Sequence, residues 1–172
     1  MPSTTRLHSA AMFNPTPSAT LRAIALGGAL VGVLDATDGV VYFGLTAGNN
    51  PIQVLQFVAS GALGPAAFSG GLAAAALGAL IHFGLSFGFT ALFVLAWIRS
   101  EAVREHWIAA GLAWGVAVWT LMNLVILPLS HVPPSPITVL SDLHGLIAHA
   151  LTVGLAAAFV SRRTLRSAGS AA

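Results

Sequence analysis

The sequence predicts an all-α, polytopic membrane bundle of four helices, and three observations predict it: too little charge for a water-facing globule, four long apolar stretches, and arginines confined to alternate connections. The 172 residues carry seven basic and five acidic side chains, so 7% are charged and 56% hydrophobic, with a mean hydropathy of +0.86. A soluble domain carries about 25% charge, so an ordinary water-soluble enzyme is excluded. Net charge +2 without a basic cluster is no footprint for phosphate backbones, and nucleic acid is excluded as a partner. There is no cysteine and no lysine, which removes disulfides, thiolate metal sites, thiol nucleophiles, Schiff bases and Walker-type phosphate loops. The partner the composition implies is the lipid bilayer; a homo-oligomer or a membrane-complex partner stays open.

Residues 1–20 are polar and rich in Ser, Thr and Pro, and read as a disordered tail. The first apolar run is too long for a signal peptide and lacks a cleavage site. A membrane helix needs about 20 mostly apolar residues, and the stretches that supply them are 21–45, 71–98, 107–127 and 143–160. They form one transmembrane domain, 21–166, followed by a short tail, 167–172. Arg6 and Arg22 precede the first span, Arg99 and Arg104 lie between the second and third, and Arg162, Arg163 and Arg166 follow the fourth. By the positive-inside rule both termini and the central loop are cytoplasmic. Trp97 and Trp107 flank that loop as an aromatic belt.

Residues 51–63 are also apolar, but a fifth crossing there would invert the later spans and put five arginines outside. The segment therefore reads as an interfacial or re-entrant helix on the outer face. Asn50 before Pro51 is a helix-start signal, with Gln53, Gln56 and Ser60 on one face and Gly64-Pro65 as the stop.

A shift of 85 positions aligns residues 31–56 with 116–141. Pro51-Ile52-Gln53-Val54-Leu55-Gln56 meets Pro136-Ile137-Thr138-Val139-Leu140-Ser141, Asn50-Pro51 meets Ser135-Pro136, and Asp38 falls on Asn123. After a deletion, Gly78–His82 meets Gly145–His149. The expected architecture is two parallel two-helix repeats about an axis along the membrane normal; chance matching between apolar helices is the alternative.

Ionisable groups inside a membrane need a partner or a function. At about 1.5 Å per residue from the cytoplasmic end, Asp35 and Asp38 lie roughly 20 and 24 Å above Arg22, and Asn123 about 24 Å above Trp107. His82 lies about 26 Å above Arg99 and His149 about 20 Å above Arg162. Asp35, Asp38, His82, Asn123 and His149 therefore share one layer in the outer half of the bilayer and form the candidate polar cluster. His144 and His149, five residues apart, point in different directions on an ideal helix and are left out as a pair. One reading of the cluster is structural, hydrogen bonds that lock helix register. Another is the handling of protons or a small cation, since histidine titrates near neutrality and a carboxylate tunes it. A third is haem b held between His82 and His149, although Asp35 and Asp38 would then face the porphyrin. A divalent metal on Asp35, Asp38, His82 and His149 is a fourth, without a metal-motif spacing behind it. No catalytic motif is present, so neither an enzyme nor a resident cofactor or metal is expected.

From His82 to Arg166 the chain resembles the YagU-like family of small bacterial inner-membrane proteins. The matching features are His82-Phe83, Gly111-Leu112-Ala113-Trp114-Gly115, Leu127-Pro128-Leu129, Pro133-Pro134, Gly145 with His149, and Arg162-Arg163. The resemblance implies a bacterial inner-membrane location and a part in acid tolerance, with no cofactor. Asn123 departs from it, standing where a histidine is found in that family.

Overall fold

The computed structural model describes residues 13–133 and 138–169, with side chains through Leu165. Among these residues the chain is all-helical, with no strand. Helix α1 spans Pro17–Ala47, α2 Pro51–Leu63 with a 3₁₀ extension Gly64–Ser69, and α3 Gly71–Arg99. A short α4, Glu101–Glu105, turns the chain into α5, Trp107–Leu121. A π segment, Met122–Ile126, joins α5 to α6, Leu127–Leu129. The last helix runs as α7, Val139–Ala148, a π segment, His149–Leu155, and α8, Ala156–Gly169. Five helical stretches are long and apolar enough to cross a membrane: Pro17–Ala47, Pro51–Ser69, Gly71–Arg99, Trp107–Leu129 and Val139–Leu165. The chain is thus built as a multi-pass membrane protein.

Local chemistry sets the helix ends. Thr16 accepts a hydrogen bond from the Ala19 amide with Pro17 at the first helical position, so α1 starts four residues before the expected span, and 17–20 are helix where a tail was expected. Residues 1–12 of that tail lie outside the described residues. Gly48 closes α1 at φ 70°, a left-handed conformation that glycine adopts without strain. Asn50 and Gln53 cap each other reciprocally at the start of α2, over the range expected. The start signal expected at Ser135-Pro136 lies outside the described residues; the last helix is capped instead by Thr138 and Ser141. It continues through Gly169, into the expected C-terminal tail, of which 170–172 lie outside the described residues.

Glycines fix the packing. A methyl group on Gly27 would stand 2.8 Å from Thr90 Cγ2, and one on Gly32 would stand 2.6 Å from the Phe83 ring. These contacts make α1 and α3 antiparallel neighbours, and the same register carried outward puts Ala47 level with the start of α3. A methyl on Gly111 would stand 2.8 Å from Ala158 Cβ, and one on Gly115 2.5 Å from Ala150 Cα, so α5 and the last helix also meet backbone to backbone. Helix α1 packs on α8 as well, with Val160 3.7 Å from the Gly27 position. Helix α2 lies on the first half of α3, where Gln56 donates to the Gly71 carbonyl at 3.1 Å.

The main core sits toward the start of α1. Val31, Phe93, Val94, Trp97, Val118, Val153, Ala157, Ala158 and Leu165 are buried there, with the Phe93 and Trp114 rings 5.9 Å apart. The described arginines gather at the same end. Arg104 donates to the carbonyls of Trp97 and Ile98 at the end of α3 (2.8 and 3.0 Å). The Arg162 guanidinium lies 4.7 Å from the centre of the Trp107 ring.

Candidate functional site

Helix α1 brings both carboxylates of the apolar layer, and the last helix brings their partners. Asp35 and Asp38 sit at i, i+3 on one face of α1. His144 on α7 donates its Nε2–H to Asp38 Oδ2 at 3.1 Å. The Tyr42 ring, one turn beyond Asp38, stacks on the imidazole, with centroids 3.9 Å apart and planes 10° from parallel. Thr152 Oγ1 lies 3.1 Å from Asp35 Oδ1 and 2.8 Å from its own helix's Ala148 carbonyl, so its single proton is shared between them. His149 approaches the same carboxylate, Nδ1 to Oδ1 3.9 Å, but its Nδ1–H donates to the Gly145 carbonyl at 2.9 Å.

The other two members of the expected cluster are turned elsewhere. His82 donates its Nε2–H to the Gly32 carbonyl at 2.9 Å. It bridges α3 to α1 one turn below Asp35, at the backbone. Asn123 donates to the Trp119 carbonyl of its own helix at 2.9 Å and sits in the first π segment. The structure therefore joins Asp35, Asp38 and His149 around one interface and adds His144, Thr152 and Tyr42.

Sequence reasoning set His144 aside because five residues on an ideal helix separate it from His149 by more than a quarter turn. That argument concerns whether the two histidines meet each other. Here each meets α1, His144 at the level of Asp38 and His149 at that of Asp35. The signal that would have found His144 was the depth arithmetic itself, since it lies about 27 Å above Arg162, within one turn of the height of Asp38. Thr152 carried no such signal.

Each pair is half-buried: the side chains of Asp38 and His144 are 32% and 34% exposed, those of Asp35 and His149 21% and 24%. Among the described residues the ion-pair partners of these two aspartates are histidines, with no arginine beside them. Nor do three His, Asp or Glu side chains come together as a metal-ligand group among the described residues. Toward the arginine end, α3 continues from His82 with Ser86 and Thr90 at successive turns. Both are buried against the α1 glycines, and the Thr90 hydroxyl has no hydrogen-bond partner.

Chemically, the Asp38–His144 pair can exist in two charge states. With neutral imidazole it carries one negative charge, and a proton on the other ring nitrogen turns it into a neutral ion pair. In an apolar layer an isolated carboxylate is costly, and a partner that can carry positive charge offsets that cost. Comparison of the chain with protein-family models, curated proteins and solved structures finds no match.

Proposed function

We propose that this protein is a four-span inner-membrane bundle whose Asp–His interface between α1 and the last helix responds to protons or to a small cation. The observation that carries the reading is the 3.1 Å contact between Asp38 and His144, supported by the second carboxylate one turn away. Two carboxylates in an apolar layer, whose ion-pair partners among the described residues are imidazoles, form a site whose charge a proton or small cation can cancel. Helix α1 carries one half of each pair, and α7 and the π segment after it carry the other, so a change of charge acts on helix packing. Hydrogen exchange of these helices at two pH values, in wild type and Asp38→Asn, tests it.

Four spans rather than five are supported by the register of α1 against α3. The end of α1 and the start of α3 lie at one level, so 51–69 leaves and returns on the same side, as a re-entrant or interfacial segment does. The gathered arginines mark the opposite side as cytoplasmic by the positive-inside rule, with both termini there. Two parallel repeats are supported by packing: Gly32 against Phe83 and Gly115 against Ala150 are equivalent contacts to within two positions of the alignment. The bacterial inner membrane and a part in acid tolerance rest on the YagU-like resemblance.

The second reading, a structural subunit whose polar contacts only lock helix register, is favoured by His82 and Asn123, which bond to backbone carbonyls. A haem carrier has less behind it. The Nε2 of His82 is engaged by Gly32, and Gly78, one turn away on the same face of α3, packs against Leu55 and Ala59 of α2. A Soret band in the purified protein, lost in His82→Ala, would restore it.

A further inference from the structure

At the arginine-bearing end, α1 and α8 enclose an open cleft of about 580 Å³ lined by Thr16, Ser18, Arg22, Leu26, Arg163 and Thr164, among others. Among the described residues no acidic side chain lines it. One gradient runs along both helices, within the lining on α1 and just beyond it on α8. On α1, Leu26 follows Arg22 by four residues, one turn or about 6 Å deeper into the bundle. On α8, which runs the other way, Phe159 lies one turn deeper than Arg163, and the Arg163 guanidinium sits 5.3 Å from the centre of its ring. Leu26 and Phe159 are 49% and 44% exposed, so both present apolar surface rather than core. The contact of Val160 with the Gly27 position fixes the two walls at the same height.

We propose that this cleft holds the phosphate headgroup of an anionic phospholipid from the cytoplasmic leaflet. Arg22 and Arg163 pair with the phosphate, the hydroxyls of Ser18 and Thr164 supply further donors, and an acyl chain runs down over Leu26 and Phe159. The chemistry matches at both depths: two cations where the headgroups lie, and exposed apolar side chains one turn below, where the chains begin. A basic pocket between spans on the cytoplasmic side is where anionic headgroups bind. The proposal rests on the membrane reading and is independent of the Asp–His interface.

The test is native mass spectrometry of the purified full chain with phosphatidylglycerol, with phosphatidylcholine and with inorganic phosphate, on wild type, Arg22→Gln, Arg163→Gln and Arg99→Gln. Arg99→Gln removes the same charge from the same end but from outside the cleft. Each cleft substitution is expected to weaken phosphatidylglycerol binding about fivefold, the worth of one arginine near a membrane surface. Arg99→Gln is expected to leave it nearly unchanged, and phosphatidylcholine to bind weakly throughout. Equal losses in all three variants would overturn the proposal in favour of diffuse attraction. Inorganic phosphate displacing the lipid at equal concentration would overturn it in favour of a free-anion site. Asp38→Asn is expected to keep lipid binding intact, so failure here and failure of the proton reading are separately visible.

Discussion

Asp38 and His144 are 106 positions apart in sequence and 3.1 Å apart in the fold. The contact ties the first helix to the last. The second carboxylate, Asp35, meets the last helix three residues earlier, through the Thr152 hydroxyl at 3.1 Å, with His149 at 3.9 Å.

If that contact is energetic as well as geometric, the two side chains must be coupled. A double-mutant cycle of Asp38→Ala and His144→Ala, read as unfolding in mild detergent, is expected to give a coupling of about 0.6 and at most about 1.7 kcal/mol, the range for polar contacts between membrane helices. The cycle of Asp38→Ala with Asn123→Ala is expected to be additive, because Asn123 bonds within its own helix. Coupling in the second cycle and none in the first would show that the sequence-level cluster, with Asn123 in it, was the better description.

Span count can be read by labelling, since the chain has no cysteine of its own. Single cysteines at Thr46, Ser69 and Glu105 test the register of α1 and α3. Thr46→Cys and Ser69→Cys are expected to react with an impermeant maleimide from the same side, and Glu105→Cys only from the other. Reaction of Ser69→Cys from the side opposite Thr46→Cys, with Glu105→Cys on the side of Thr46→Cys, would make 51–69 a fifth crossing.

The α5 interface predicts a contrast between two glycines. A methyl group at Gly115 would stand 2.5 Å from Ala150 Cα and 2.7 Å from the His149 carbonyl carbon, both backbone atoms that cannot step aside. At Gly88 a methyl meets nothing within 4 Å. Gly115→Ala is expected to destabilise by about 1–3 kcal/mol, the usual cost of overpacking. Gly88→Ala is expected to be neutral or stabilising, since alanine is the better helix former. Equal thermal shifts for the two would contradict the close packing of α5 on the last helix.

How far the sequence reached is clear from these residues. Asn50-Pro51 announced α2 because capping is a local matter, decided within four residues. The apolar runs announced the long helices for a similar reason: the length of hydrocarbon to be matched is written in consecutive residues. Depth was legible too, as a rise per residue counted from the arginines, and it put Asp35 level with His149. Azimuth was not. Nor did counting place His82: expected level with Asp38, it meets the Gly32 carbonyl about two turns lower, because the register and the facing side of α3 against α1 are set by the glycines of α1 and by helix crossing. His149 and Thr152 sit in a π segment, whose wider turn no ideal helical period anticipates. That is why a residue's place along its own helix could be counted and its partner across an interface could not.

The central claim is that the Asp–His interface senses charge, and the most direct measurement is amide hydrogen exchange of the protein in lipid nanodiscs at pH 5 and pH 8, corrected for intrinsic rates. Histidine changes charge across this interval. In wild type, protection of residues 33–43 and 139–152 is expected to differ between the two pH values, while the core around Phe93 and Trp97 does not change. In Asp38→Asn the pH dependence of those two segments is expected to vanish while the core stays protected. The same pH dependence in wild type and Asp38→Asn, or none in either, would contradict the account and leave a bundle whose polar contacts only hold its helices in register.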